Sequence, residues 1–397
     1  MTQLAERLSR ISEPETIKMA KLSRELKAQG IDIVDLSIGE PDFDTPAHIK
    51  DAAKKAIDEG YTHYTPVAGY ADLRQAVTHK LKRDNNLDYT PEQIIVSTGA
   101  KQSIANAVLS IVDPGDEVII PTPYWVTYSE LVKLCQGEIV FVPCSIRNKY
   151  KITPAQLEAA ITPKTRLFMF SSPCNPTGAV YSKAELEALA AVFMKHPEIY
   201  IIADEIYEYI NYVGKHESIA QFGDLKERTI IINGLSKGFA MTGWRLGYLA
   251  APAAVAKAAD KIQSQFTSAT CSITQRAAIT ALTGELAPTM AMVDEFRKRR
   301  SFIYKALSDI PGLQVIEPEG AFYMFPDVSA FFGRSADGMT VNNADDLCSY
   351  LLHKAHVTMV TGSAFQQDNC IRISYANSME KLEEGMKRMR KGLEALQ

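Results

Sequence analysis

The chain has 397 residues, 46% of them hydrophobic and 23% charged, with a formal net charge of −4. That composition excludes a disordered chain. The balanced charge argues against a general nucleic-acid binder, and no apolar run reaches the 18 or so residues of a membrane-spanning helix.

The length allows two or three domains at about 100–200 residues each. The six cysteines form no C-x-x-C pair, which argues against a zinc module and for reduced thiols; no metal site is expected. Residues 1–7 carry no basic region running into an apolar one, so no secretory signal is expected and a cytoplasmic protein is.

In chain order, Thr45-Pro46 reads as an N-cap and first helical residue. Ile49, Ala52, Ala53, Ala56 and Ile57 then follow at helical spacing up to Gly60. Short apolar runs rich in branched residues occur at Ile94–Val96, Val118–Ile120, Ile139–Val142, Leu167–Phe170, Ile199–Ile202 and Ile230–Ile232. They predict strands buried on both faces. Helical stretches alternate with them. Thr153-Pro154 with Gln156, and Ser182 with Glu185, are start signals of the capping-box kind. The alternation predicts an α/β chain with a mostly parallel, doubly wound sheet. Beyond about residue 290 the pattern changes. A charged helix over Val293–Leu307, short strands and turns over Gly312–Phe325 and an amphipathic helix over Met379–Leu396 predict a smaller α+β domain.

Open α/β sheets bind ligands beyond the carboxyl ends of their strands. Four such ends carry loaded chemistry: Ser97-Thr98-Gly99-Ala100-Lys101, Ser171-Ser172-Pro173-Cys174-Asn175-Pro176-Thr177-Gly178, Ala203-Asp204-Glu205-Ile206-Tyr207 and Asn233-Gly234-Leu235-Ser236-Lys237. The first is a small-residue turn opening a helix, suited to a phosphate. Each alone has a plainer reading, as an N-cap, a turn or a solvated lysine; their joint placement is what carries the functional one. The chain has neither G-x-G-x-x-G nor G-x-x-x-x-G-K-[ST], so neither a dinucleotide nor a P-loop nucleotide is expected. Pyridoxal phosphate fits the set: a lysine to bond it, an aspartate for its ring nitrogen and donors for its hydroxyl and phosphate.

The run Gly234-Leu235-Ser236-Lys237-Gly238-Phe239-Ala240-Met241-Thr242-Gly243-Trp244-Arg245-Leu246-Gly247 resembles the lysine signature of the fold type I, class I/II pyridoxal-phosphate aminotransferases. Ser172 to Gly178, Asp204-Glu205-Ile206-Tyr207, Pro123-Tyr124-Trp125 and Arg372-Ile373-Ser374-Tyr375 are further landmarks, and the resemblance spans essentially the whole chain. It is nearest to the bacterial and plastid branch of aspartate aminotransferases.

The resemblance implies a role for each matching position. Lys237 is the covalent anchor and proton carrier, and Asp204 partners the ring nitrogen. Tyr207 and Asn175 donate to the ring hydroxyl, and Trp125 stacks on the ring. Gly99, Ala100, Ser236 and Arg245 hold the phosphate, with Lys101 beside them and Tyr64 reaching the site of the other subunit of a homodimer. Arg372, with the backbone of Gly39, takes the substrate α-carboxylate. Lys101 and Thr16, with Ser12 assisting, are expected to meet a distal carboxylate. The resemblance also implies a large cofactor domain over 46–288 and a small domain built from both chain ends, 1–45 and 289–397. The expected reaction is amino transfer from aspartate to 2-oxoglutarate. Prephenate, aromatic or alanine transamination, a C–S lyase, and a non-enzymatic cofactor-binding module are the alternatives on the same fold. Two departures stand out. Gly234 replaces a serine that some relatives carry three residues before the lysine, and Glu13-Pro14-Glu15-Thr16 replaces their Pro-Ser-x-Thr.

Overall fold

The computed structural model describes residues 4–12 and 15–397, with only the backbone given for 15–18 and 20. A central sheet holds seven strands: β1 (Ile94–Ser97), β2 (Glu117–Thr122), β3 (Glu138–Pro143), β4 (Thr165–Ser171), β5 (Tyr200–Asp204), β6 (Thr229–Gly234) and β7 (Gly247–Ala250). Their order across the sheet is β1-β7-β6-β5-β4-β2-β3. The six runs read from sequence are all strands. The seventh, β7, is the sheet's antiparallel member and pairs with both β1 and β6.

Alternate residues of these strands feed separate cores on the two faces, which is why the runs are apolar throughout. Ile95, Val118, Ile120, Leu167, Met169, Ile202 and Ile232 pack on one side with the helices Ala100–Ile111 and Ala253–Phe266. Ile119, Phe168, Ile201 and Ala203 pack on the other, with the helix Lys183–Phe193. Thr153 and Ser182 make the expected capping boxes. Thr45 does not cap the helix Ala47–Asp58: its hydroxyl donates to the Ala240 carbonyl at 2.6 Å, and Pro46 takes the cap position. A long-range acceptor has outcompeted the local one.

After the helix Ala287–Ser308 the chain builds a second core. A small antiparallel sheet orders Val360–Thr361, Ile371–Ser374 and Tyr323–Met324. Most of Gly312–Phe325 is turn rather than strand. The amino-terminal pair Val34–Asp35 runs parallel to Val357–Thr358, so both chain ends share this core, in which Val34 and Leu36 sit with Phe296, Leu382 and Met389.

Candidate active site

A cavity of about 430 Å³ opens at the carboxyl edge of the central sheet, a usual size for a small-molecule site. Asn175 reaches it from the loop after β4, Asp204 from the end of β5, Ser236 and Lys237 from the turn after β6, and Trp125 from the segment after β2. Because β7 is antiparallel to both β1 and β6, β1 points the same way as β6. The small-residue turn after β1 therefore arrives at the same edge. For the same reason the residues before β7 arrive there, and they include Arg245.

The turn expected from sequence to suit a phosphate is built by close packing. Gly99, at φ +86°, caps the helix Ala100–Ile111, and a Cβ built there would come within 2.5 Å of an Arg245 Nη. The guanidinium thus lies against the helix N-terminus, where the first N–H groups have no acceptor of their own. Arg245 is fixed by donating to the Thr242 carbonyl at 2.9 Å. Gly234 packs against β7, and a Cβ there would lie 2.9 Å from both the Gly247 Cα and the Leu246 carbonyl oxygen. A serine has no room at 234 in this packing.

Deeper in, the carboxylate of Asp204 is buried. Tyr128 donates to its Oδ2 at 2.7 Å and the Ile206 amide to its Oδ1 at 3.2 Å. Burial raises its pKa to about 6, and these two donors hold it from rising further. A buried carboxylate in that state is matched to a cationic partner. Lys237 is buried in the opposite sense: desolvation pulls its ammonium down to about 8, and it donates to the Gly39 carbonyl at 2.5 Å. Behind Asp204, His216 lies 3.1 Å from Glu205, while the buried Lys80 ammonium is bound to Glu208. Glu205, Glu208 and His216 have the spacing of a metal site, but Lys80 already neutralises Glu208.

Arg372 is buried and donates to Asn175 Oδ1 at 3.0 Å and the Ser37 carbonyl at 2.6 Å. Its Nε is buried without a partner, a donor left over for an anion entering the cavity. The Lys101 ammonium lies 5.1 Å from the Trp125 ring centroid at the cavity wall, and burial followed by the nearby Arg245 charge lowers its pKa. The fit to pyridoxal phosphate is good: a buried low-pKa lysine, an ionisable carboxylate facing it, an aromatic wall and an arginine at a helix N-terminus share one cavity.

The described residues bring together Gly39, Ala100, Lys101, Trp125, Asn175, Asp204, Tyr207, Ser236, Lys237, Arg245 and Arg372 around this cavity. Gly99 stands directly behind the Arg245 guanidinium. Tyr64 is fully exposed and lines no part of its own chain's cavity. The Thr16 side chain lies outside the described residues. Ser12 is exposed and its amide donates to Glu130 at 2.6 Å. Sequence reasoning missed Tyr128, Ser37, Tyr323 and Thr242. Tyr128 stands three residues after Trp125 and Thr242 lies within the lysine signature run, whereas Ser37 and Tyr323 have no local signal.

Residues 31–389 match the family model for class I and II aminotransferases. The chain belongs to that family. This aminotransferase is 47% identical to the aspartate/prephenate aminotransferase of Nitrosomonas europaea over 391 residues, 98% of each chain. It superposes on a crystal structure of the aspartate aminotransferase from Rhizobium meliloti with a TM-score of 0.97, at 41% identity and 100% coverage of both chains. A similar match, with a TM-score of 0.93 at 39% identity, is the Thermus thermophilus aspartate aminotransferase solved with maleate, covering 99% of this chain and 100% of that one.

Proposed function

We propose that this aminotransferase moves the amino group of L-aspartate to 2-oxoglutarate, giving oxaloacetate and L-glutamate, with pyridoxal phosphate as cofactor. The observation that carries the reading is the buried Arg372, whose Nε has no partner, in one cavity with Lys237 and Lys101. Two cations flanking a buried lysine suit a substrate with two carboxylates and one amine. Relatives named for aspartate support the choice, as does the relative solved with the dicarboxylate maleate.

Pyridoxal phosphate would be held by Arg245, Ser236 and the Gly99–Lys101 turn at its phosphate, by Asp204 at its ring nitrogen and by Trp125 on its face. When bound, it supplies a carbonyl carbon to receive the amine and a cationic ring that draws electrons from the substrate's Cα. Arg372 grips the α-carboxylate and, through Asn175, fixes how the substrate lies. Lys237 Nζ, made easier to deprotonate by its burial, would take the Cα proton and return it on the same side to the carbon that had received the amine. Asp204 keeps its negative charge against the ring nitrogen once a cation is there. Tyr207 and Asn175 Nδ2 donate to the ring hydroxyl. Lys101 meets the distal carboxylate.

Prephenate is a second acceptor to test, since the Nitrosomonas relative is named for it. A homodimer completes the picture: Tyr64, exposed on its own chain, would serve the partner's phosphate seat, and sedimentation should give about twice the 43.9 kDa chain mass. The direct test follows the visible absorption of the cofactor-loaded protein. Aspartate should bleach it, and 2-oxoglutarate should restore it. Absence of bleaching by aspartate, glutamate, alanine and phenylalanine would refute the reading. Lys237→Ala should abolish the response.

A further inference from the structure

Tyr323 has no part in the mechanism above, yet it touches three of its components. Its hydroxyl is 2.8 Å from the hydroxyl of Tyr207. The Arg372 guanidinium lies 4.6 Å from its ring centroid. A Cβ built on Gly39 would come within 2.6 Å of its hydroxyl oxygen, and the Gly39 carbonyl is the one that accepts from Lys237. Tyr323 is 1% exposed and lies on a strand paired to the strand that carries Arg372.

We propose that Tyr323 is a positioning residue: its hydroxyl donates to Tyr207, so that the single Tyr207 proton is turned toward the cofactor's ring hydroxyl, while its ring backs Arg372. This rests on the proposed pyridoxal-phosphate function.

The argument is one of proton counting. Two facing tyrosine hydroxyls share one hydrogen bond, and one of them must be the donor. If Tyr207 donated to Tyr323, its proton would be spent inside the wall of the site. With Tyr323 as donor, Tyr207 keeps its proton for the ligand and becomes a better donor, because successive hydrogen bonds polarise one another. The Arg372 charge over the Tyr323 ring favours the same direction, since a nearby cation makes a phenol a stronger acid. Burial pushes both phenols up and Arg372 draws both back, standing first among the neighbouring groups for Tyr323 but behind Tyr323 itself for Tyr207. Burial likewise holds Tyr207 protonated. The other charged groups facing the pair are Lys237 and Asp204.

The experiment titrates the visible absorption of the cofactor-loaded protein against pH, with no substrate present. Tyr207's proton stabilises negative charge on the ring oxygen as the bound chromophore loses a proton, so weaker donation moves the midpoint up. Tyr323→Phe keeps the ring and should raise the midpoint by about half a pH unit. Added to Tyr207→Phe, it should move the midpoint no further, because the relay is already cut. Tyr323→Leu should also raise the KM for aspartate about 3- to 10-fold, through loss of the ring under Arg372. Thermal unfolding of each loaded variant checks the fold. A Tyr323→Phe midpoint within about 0.1 pH unit of the parent, or an equal shift in the Tyr207→Phe background, overturns the relay. A parent protein with no pH-dependent band overturns the cofactor reading itself, and the relay with it.

Discussion

Replacing Arg372 by lysine tests the carboxylate site most sharply, because the charge stays and the fork goes. The guanidinium spends one nitrogen on Asn175 Oδ1 at 3.0 Å and one on the Ser37 carbonyl at 2.6 Å, and its Nε is buried and unpartnered. A lysine presents its donors on one atom and cannot serve both wall acceptors and a carboxylate in a planar array. A hydrogen bond to a charged group contributes about 1.5–3 kcal/mol, and the variant should lose about one such bond in the transition state. The kcat/KM for aspartate should therefore fall about 10- to 150-fold. Arg372→Leu also removes the charge and leaves the Ser37 carbonyl and Asn175 Oδ1 without their donor, and should fall further. The assay is single-turnover bleaching of the loaded enzyme across aspartate concentrations, with an amine lacking the α-carboxylate as control. An aspartate kcat/KM within threefold of the parent would refute the assignment, as would an equal loss with the control amine.

Other outcomes follow from the same geometry. In the cofactor-free protein, Lys237 is ordinarily a group of pKa 10.5 pulled by burial to about 8. A depressed pKa leaves its contribution free of penalty above 10.5; the penalty grows as pH falls from 10.5 to about 8 and is full below about 8. Lys237→Met should then stabilise that form by about 3 kcal/mol at pH 7, with the gain shrinking toward pH 10; urea unfolding at the two pH values measures it, and a loss of stability at pH 7 contradicts it. Lys101→Ala should reduce the preference for aspartate over alanine about 5- to 30-fold, one charge-assisted contact to the distal carboxylate; an unchanged ratio removes Lys101 from the pocket. Gly234→Ser should lower the melting temperature, since its Cβ meets the β7 backbone at 2.9 Å, an overpacking strain of about 1–3 kcal/mol. A melting point equal to the parent's would show that the two strands can part.

The contributors that follow a strand directly were legible because a strand and the few residues after it form a local unit. Asp204 ends β5, Lys237 stands three residues beyond β6, and Asn175 sits in the turn beyond β4. Any sheet that buries those strands must deliver these residues to one edge. The capping boxes at Thr153 and Ser182 were legible for the same reason: their partners lie three residues away. Arg245 was known only by resemblance. What brings it to the proposed phosphate seat is the antiparallel direction of β7, a four-residue strand, Gly-Tyr-Leu-Ala, with no β-branched residue to mark it as a run.

The remaining decisions belonged to the tertiary structure. Thr45 has a good local cap signal, yet the Ala240 carbonyl 195 residues away takes its hydroxyl. Ser37 and Tyr323 carry no motif, and they matter because the amino-terminal segment and the carboxyl-terminal sheet close over Arg372. By itself the sequence determined the chemical inventory: a lysine, an aspartate, an asparagine and a phosphate turn at the ends of buried strands. Only the fold decided which backbone carbonyls, tyrosines and arginines surround them, because burial sets the protonation of Lys237 and Asp204, and burial depends on residues hundreds of positions apart in the chain.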